Sequence, residues 1–231
     1  RMKEFKQILR EHGIGGAACE GMEQYAKLLL EENAVHNLTR ITAPEEVAVK
    51  HFVDSAHPDI CALIKDGARV VDVGTGGGFP GAPLKLMRPD IDLTFIESSE
   101  KKLNFVKGAC EKIGIDAAFL NGRAEEIAAS GNREGFDVAV SRAVASLPML
   151  LELLAGFVKK GGLLLAYKGA AAQQELMLSK NAMSQLKLQF IKKLDVPIED
   201  GASHCVLVFE KTAACPNKYP RRFAQIKKSP L

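Results

Sequence analysis

An apolar run that ends in a carboxylate and then passes into glycine, Arg69-Val70-Val71-Asp72-Val73-Gly74-Thr75-Gly76-Gly77-Gly78-Phe79-Pro80-Gly81, constrains this chain more than any other stretch. A short apolar strand followed by such a turn is how an α/β sheet opens a nucleotide site, because glycine bends tightly and lets a ligand approach the backbone without a Cβ in the way. A second apolar run, Leu93-Thr94-Phe95-Ile96, ends at Glu97, where a carboxylate can accept both hydroxyls of a ribose. Two chemistries fit this much: a dinucleotide enzyme or an S-adenosylmethionine enzyme.

The glycines can be counted for either. Gly76, Gly78 and Gly81 satisfy G-x-G-x-x-G, whereas Gly74, Gly76 and Gly78 satisfy a looser G-x-G-x-G found in methyltransferases. The dinucleotide pattern fits worse, since Phe79 and Pro80 interrupt the turn that should lead directly into a helix packed on the sheet. Pro83 instead predicts a wider loop and a helix that begins near it and stops before Pro89.

With 231 residues, 47% of them apolar, the chain can bury one substantial core. No run approaches the roughly 20 apolar residues that span a bilayer, and the N-terminus lacks a charged stretch followed by an apolar one, so a cytoplasmic protein is expected. The five cysteines are odd in number and form no C-x-x-C, which points to packing rather than to a disulfide framework or a metal site. Net charge is only +3, but Lys211, Lys218, Arg221, Arg222, Lys227 and Lys228 lie in a final 21 residues without an acid, leaving −3 for residues 1–210. A basic tail with Tyr219 and Phe223 suits phosphates and exposed bases, and suits a merely solvated tail equally well.

The first 66 residues read as a helical cap. Met22, Tyr25, Ala26 and Leu29 recur on one helical face, and Val49, Phe52, Val53 and Ala56 do so on a second helix, where His51, Asp54 and Ser55 form a polar trio at i, i+3 and i+4. From residue 67 onward strands and helices alternate, at 69–73, 93–96, 117–120, 136–140 and 163–167, with Gly161-Gly162 read as a turn ahead of the fifth strand and one helix expected over about 170–188. Two last runs, 189–196 and 204–210, flank a turn through Pro197-Ile198-Glu199-Asp200-Gly201 and read as a hairpin. The predicted fold is α/β and Rossmann-like, a mainly parallel seven-stranded sheet of the class I methyltransferase kind with a terminal antiparallel hairpin. No residues remain for a second substrate domain.

Taken together, the motifs resemble one family, the bacterial ribosomal RNA small-subunit methyltransferase G family, also called glucose-inhibited division protein B. The resemblance rests on Asn37-Leu38-Thr39, His51 with Asp54-Ser55, the glycine loop, Glu97-Ser98 with Lys101-Lys102, Arg123-Ala124-Glu125, Ser141-Arg142-Ala143-Val144-Ala145, Lys168-Gly169 and Tyr219-Pro220-Arg221. These run from residue 37 into the tail in the family's order. Three departures stand out: the chain has no Trp, Ser203-His204 replaces an Arg-His pair, and Arg222-Phe223-Ala224 lacks a glycine often present there.

The resemblance implies methyl transfer from S-adenosyl-L-methionine to N7 of a guanine in 16S ribosomal RNA, as naked RNA or in the small subunit; no metal and no membrane are expected from the cysteines and the apolar runs, and a monomer from the absence of heptads or a long apolar edge. It implies a cofactor site at Gly74, Gly76, Gly78, Phe79, Glu97, Ala124, Glu125 and Arg142, with Arg142 beside the reacting base as the catalytic residue. His51, Asp54, Ser55, Lys168, Arg221 and Arg222 are the expected RNA contacts. Guanine N7 has an in-plane lone pair, so the reaction needs alignment rather than a general base. Methylation of another RNA, a small molecule or a protein stays open, as do a nicotinamide-dependent oxidoreductase and a binding protein without turnover.

Overall fold

A computed structural model of the chain describes residues 2–36, 39–198 and 201–231. Asn37 and Leu38 of the expected Asn-Leu-Thr segment, and Glu199 and Asp200 of the expected hairpin turn, lie outside the described residues.

Helices α1 (Met2–Glu11) and α2 (Gly16–His36) lead to a composite rod of α3 (Pro44–Val47), a π-helical turn (Ala48–Val53) and α4 (Asp54–Ala56), followed by α5 (Pro58–Cys61). Strands and helices then alternate: β1 (Arg69–Val73), α6 (Gly81–Met87), β2 (Asp92–Glu97), α7 (Glu100–Ile113), β3 (Ala118–Asn121), α8 (Ala124–Ala129), β4 (Phe136–Arg142), α9 (Leu147–Ala155) and β5 (Val158–Lys168). The chain closes with α10 (Ala172–Leu178), α11 (Lys180–Leu186), the hairpin of β6 (Leu188–Asp195) and β7 (Cys205–Lys211), and α12 (Phe223–Lys228). The sheet order is β3-β2-β1-β4-β5-β7-β6. Its first five strands pair in parallel, and β7 runs antiparallel between β5 and β6.

Local chemistry accounts for the element ends that shape the site. Ser99 caps α7 by accepting the Lys102 N–H, and Gly114 ends that helix in the left-handed conformation. The central strand β1 is buried on both faces, as parallel strands under helices must be. Its side chains alternate between two cores: Val70 joins Phe5, Tyr25, Phe52 and Phe95 under the helical cap, while Val71 and Val73 join Leu150, Leu154, Phe157 and Phe209 on the opposite face. The strand order reverses between β1 and β4, which opens a crevice at their carboxyl ends.

Two expectations are corrected. Gly161-Gly162 is not a turn ahead of β5 but lies within it, as a bulge between the Phe136–Val158 and Val138–Leu163 pairs, because Val158 already pairs with β4. The expected helix over 170–188 is two helices, meeting at Ser179.

Candidate active site

The glycine loop leaves β1 at the crevice and is held from both sides. Gly74 N–H donates to the Ile96 carbonyl at 2.8 Å, and Gly76 N–H donates to Glu97 Oε2 at 2.9 Å. Glu97 Oε1 accepts the Ser99 N–H at 2.9 Å, so two backbone donors aim a carboxylate that keeps lone pairs for further donors. Gly74, Gly76, Phe79, Glu97 and Arg142 line a cavity of about 480 Å³. A smaller cavity of about 150 Å³ adjoins it, sharing Gly74, Ser98 and Val144, and is lined further along by Ala124 and Glu125 in the first turn of α8. The residues implied by resemblance thus come together around two joined hollows, with one exception. Gly78 faces away from the hollow: a Cβ on it would stand 1.9 Å from the Tyr25 hydroxyl, which donates to the Gly77 carbonyl at 2.9 Å. It lets α2 latch the loop rather than lining the cavity.

Arg142, the last residue of β4, is held by the composite rod. Its Nη1 donates to the Lys50 carbonyl at 2.9 Å, to Asp54 Oδ2 at 3.0 Å and to Ser55 Oγ at 3.3 Å, and its Nη2 meets His51 Nδ1 at 3.1 Å. The π-turn makes the first of these bonds possible. Asp54 N–H reaches back to the Val49 carbonyl instead of that of Lys50, which frees the Lys50 carbonyl for the guanidinium. Burial pushes the His51 imidazole down to about 3, with the Arg142 charge acting in the same direction, so the ring is neutral. Its Nδ1 then accepts from Arg142, and its Nε2–H donates to Thr39 Oγ1 at 2.9 Å. The His51 ring also stacks on Phe79, with centroids 4.9 Å apart, and the Arg142 guanidinium lies 5.2 Å from the same Phe79 ring. Phe79 therefore both belongs to the core beneath the cap and floors the cavity.

On the far side of Arg142 a second hollow of about 530 Å³ opens at the ends of β4 and β5, lined by Asp54, Arg142, Tyr167, Lys168 and His204. His204 Nδ1 lies 3.1 Å from Asp54 Oδ1, so Asp54 divides its two oxygens between His204 and Arg142. Sequence reasoning noticed His204 only as half of an altered pair. It missed Tyr25 as the latch on the glycine loop and the Lys50 carbonyl as part of the Arg142 cluster.

Several expected RNA contacts have other partners. Ser55 is fully buried and its hydroxyl donates to the His51 carbonyl. Lys168 reaches the second hollow, but its ammonium donates to the Ala145 carbonyl and to Glu175, both at 2.8 Å, and props the loop that follows Arg142. Arg221 forms a two-pronged ion pair with fully buried Glu152, at 2.9 and 2.6 Å, and its N–H donates to the same carboxylate. Lys211 is fully buried, with its ammonium on Glu134 and on the carbonyls of Ala155 and Val158. The basic tail is thus a strap in which Lys211 and Arg221 are structural, while Lys218, Arg222, Lys227 and Lys228 are exposed.

Asp72 is the most deeply buried acid of the loop. Its Oδ2 accepts from Thr75 Oγ1 at 2.7 Å and from Gly81 N–H at 2.9 Å, whereas Oδ1 has no hydrogen-bond partner among the described residues. Burial outweighs the two donors and raises this carboxyl from 3.8 to about 7. Between these values the folded protein keeps a proton that the unfolded chain has released. That contribution to stability is full below about pH 4 and lost as pH rises through 7. Asp72→Asn, neutral at every pH, removes the dependence. In urea unfolding, the stability of the parent relative to D72N is expected to fall from pH 4 to 7 and to level off above 7; parallel profiles would refute the assignment.

Residues 18–200 match the family model described as rRNA small subunit methyltransferase G. The chain belongs to that family. It is 41% identical over 216 residues to the ribosomal RNA small subunit methyltransferase G of Thermoanaerobacter sp. (strain X514), covering 92% of this chain and 90% of the relative. It is 39% identical over 234 residues to the protein of the same name from Streptococcus gordonii, covering 99% of each. Among solved structures, TYW2 from M. jannaschii in complex with AdoMet superposes with a TM-score of 0.54 at 14% identity, over 66% of this chain and 73% of that one. A fibrillarin pre-rRNA processing protein from Methanococcus jannaschii gives 0.52 at 16% identity, over 64% and 68%. At such identities these two likenesses speak to the fold alone. Family membership fits a mainly parallel sheet with its crevice at the glycine loop. Among the described residues no helix is long and apolar enough to cross a membrane, and no group of three or more His, Cys, Asp or Glu is placed to hold a metal ion.

Proposed function

We propose that the protein transfers a methyl group from S-adenosyl-L-methionine to N7 of a guanine in small-subunit (16S) ribosomal RNA, acting as a monomer in the cytoplasm on the RNA or the small subunit. The observation that carries this reading is the position of Arg142, immobilised between a cavity built on the glycine loop and a second hollow at the strand ends. The loop cavity fits the cofactor: Glu97 is aimed by two backbone donors, and the adjoining hollow runs to the first turn of α8. Gly74, Gly76, Phe79 and Glu97 would hold the sugar and amino-acid parts, and Ala124 and Glu125 the adenine.

Bound S-adenosylmethionine supplies an electrophilic methyl group on a positively charged sulfur. The work left to the chain is alignment, and Arg142 is built for it. Among the described residues its Nη1 hydrogens and one on Nη2 are engaged, which leaves Nε–H and a second Nη2–H for an acceptor such as guanine O6 or a phosphate. Asp54 offsets the guanidinium charge, so the arginine can orient a base that becomes cationic as it is methylated. His51 has both ring nitrogens engaged, and Asp54 both oxygens. Neither stands ready as a general base, which suits an acceptor nitrogen that already carries a lone pair.

The direct test incubates the protein with methyl-labelled S-adenosylmethionine and small subunits or rRNA lacking native methylation, then maps label by cleavage at N7-methylguanine. Label at one guanine supports the reading; label on another atom, or none on any rRNA form, overturns it. For RNA affinity, the exposed cations Lys218, Arg222, Lys227 and Lys228 are the residues to neutralise. Their combined removal is expected to reduce the slope of log affinity against log salt by about one for each phosphate that they neutralise. An unchanged slope would make the strap's exposed face a solvated one.

A further inference from the structure

We propose that the C-terminal strap, residues 212–231, completes the adenine end of the cofactor site, with Phe223 as a wall against which the purine stacks. The inference rests on the methyltransferase reading above and assigns a role to a segment which that reading uses only for RNA.

The smaller hollow is lined by Gly122 to Glu125, at the turn into α8, by Leu153 of α9 and by Phe223, which lies some hundred residues beyond that turn in the chain. Phe223 opens α12 and is only partly buried, whereas Ile226 one turn later is fully buried and anchors the helix. The Phe223 ring is also gripped locally, by the Arg123 guanidinium 5.3 Å from its centroid. Arg123 precedes Ala124, so the residue that holds the ring adjoins the turn expected to meet the adenine edge.

The strap is set in place by charged side chains as well as by the buried Cys215, Tyr219 and Ile226. Arg133 donates to the carbonyls of Cys215, Pro216 and Tyr219, at 2.6, 3.1 and 2.8 Å. Glu134 accepts the Cys215 N–H at 2.7 Å, and Arg221, two residues before Phe223, is fixed on Glu152. Only the Arg221–Glu152 contact is an ion pair, and the others are charge-assisted bonds to backbone groups; directional bonds of both kinds hold one geometry. Here the geometry they hold makes a flat aromatic ring part of the lining of a mostly apolar slot that also includes Ala124 and Glu125. Such a combination suits a purine, stacked on one side and hydrogen-bonded at its edge.

The test is calorimetric titration of the full chain with S-adenosylhomocysteine and with 5′-methylthioadenosine, which keeps the adenine and lacks the amino-acid end. Phe223→Ala and Phe223→Leu are compared with the parent and with Phe223→Tyr, and thermal melts without ligand verify folding. Both non-aromatic variants are expected to lose about tenfold in affinity for both ligands, while the tyrosine variant stays near the parent, since base–aromatic stacking is worth from about fivefold to somewhat over a hundredfold. Equal affinities in a folded Ala or Leu variant would overturn the wall. A parent chain that binds neither ligand would instead overturn the methyltransferase reading itself.

Discussion

Arg142→Lys is expected to lower the rate of methyl transfer at saturating cofactor and RNA by about 100-fold or more, while S-adenosylhomocysteine affinity stays within a few-fold of the parent. The substitution keeps the positive charge and removes the planar fork. A single ammonium cannot serve the Lys50 carbonyl, Asp54 and His51 together and still present donors toward the second hollow. Because Arg142 also ties β4 to the rod, R142K should unfold at a somewhat lower temperature. The comparison is therefore made well below its melting point, in single turnover. A lysine variant as fast as the parent would reduce Arg142 to a structural latch.

Gly78→Ala should act on stability instead, by roughly 2–4 kcal/mol, through backbone strain together with a forced clash. Gly78 has φ +97°, and its new Cβ would fall 1.9 Å from Tyr25 Oη and 2.9 Å from Cζ. Tyr25 has little room to retreat: it is fully buried, with edge-on contacts to Phe52, Phe79 and Phe105. For a chain of this size the loss corresponds to a fall in melting temperature of roughly 5–15 °C. Gly76→Ala is the informative contrast. At φ +58° and with nothing within 4 Å, its Cβ would cost only about 1 kcal/mol of backbone strain and would occupy the cavity side of the loop. Gly78→Ala should therefore be read in thermal melts and Gly76→Ala in cofactor titrations. Equal melting temperatures for the two would contradict the assignment of Gly78 to the cap.

The sheet was legible because its signals are local. Val70, Val71 and Val73 around Asp72 and the two runs of the final hairpin each announce themselves within a few residues. The glycine loop and Glu97 were legible for the same reason, as a strand end followed by a turn. What escaped depends on partners far along the chain. The trio His51, Asp54 and Ser55 reads as a polar helix face, and only the approach of Arg142, some ninety residues on, turns it into a buried clamp. Glu152 sits inside an apolar helix where a carboxylate looks misplaced until Arg221 arrives from the tail. Gly161-Gly162 carries an ordinary turn signal, overridden because Val158 finds a strand partner first. The tail's cations could be counted from the sequence, but which of them are spent on buried partners could not.

The widened turn at Ala48–Val53 makes residue number, as distinct from residue type, a requirement of this region. Successive residues of an α-helix are set about 100° apart, so shortening the rod by one residue ahead of Asp54 and closing it as plain α-helix would rotate His51 and Asp54 relative to each other. The Lys50 carbonyl would be reclaimed by the helix ladder in the same step. Outside His51, Asp54 and Ser55, side chains between residues 44 and 56 can therefore be exchanged more freely than the spacing among them can be altered, and a gap aligned there is more damaging than a mismatch at those other positions.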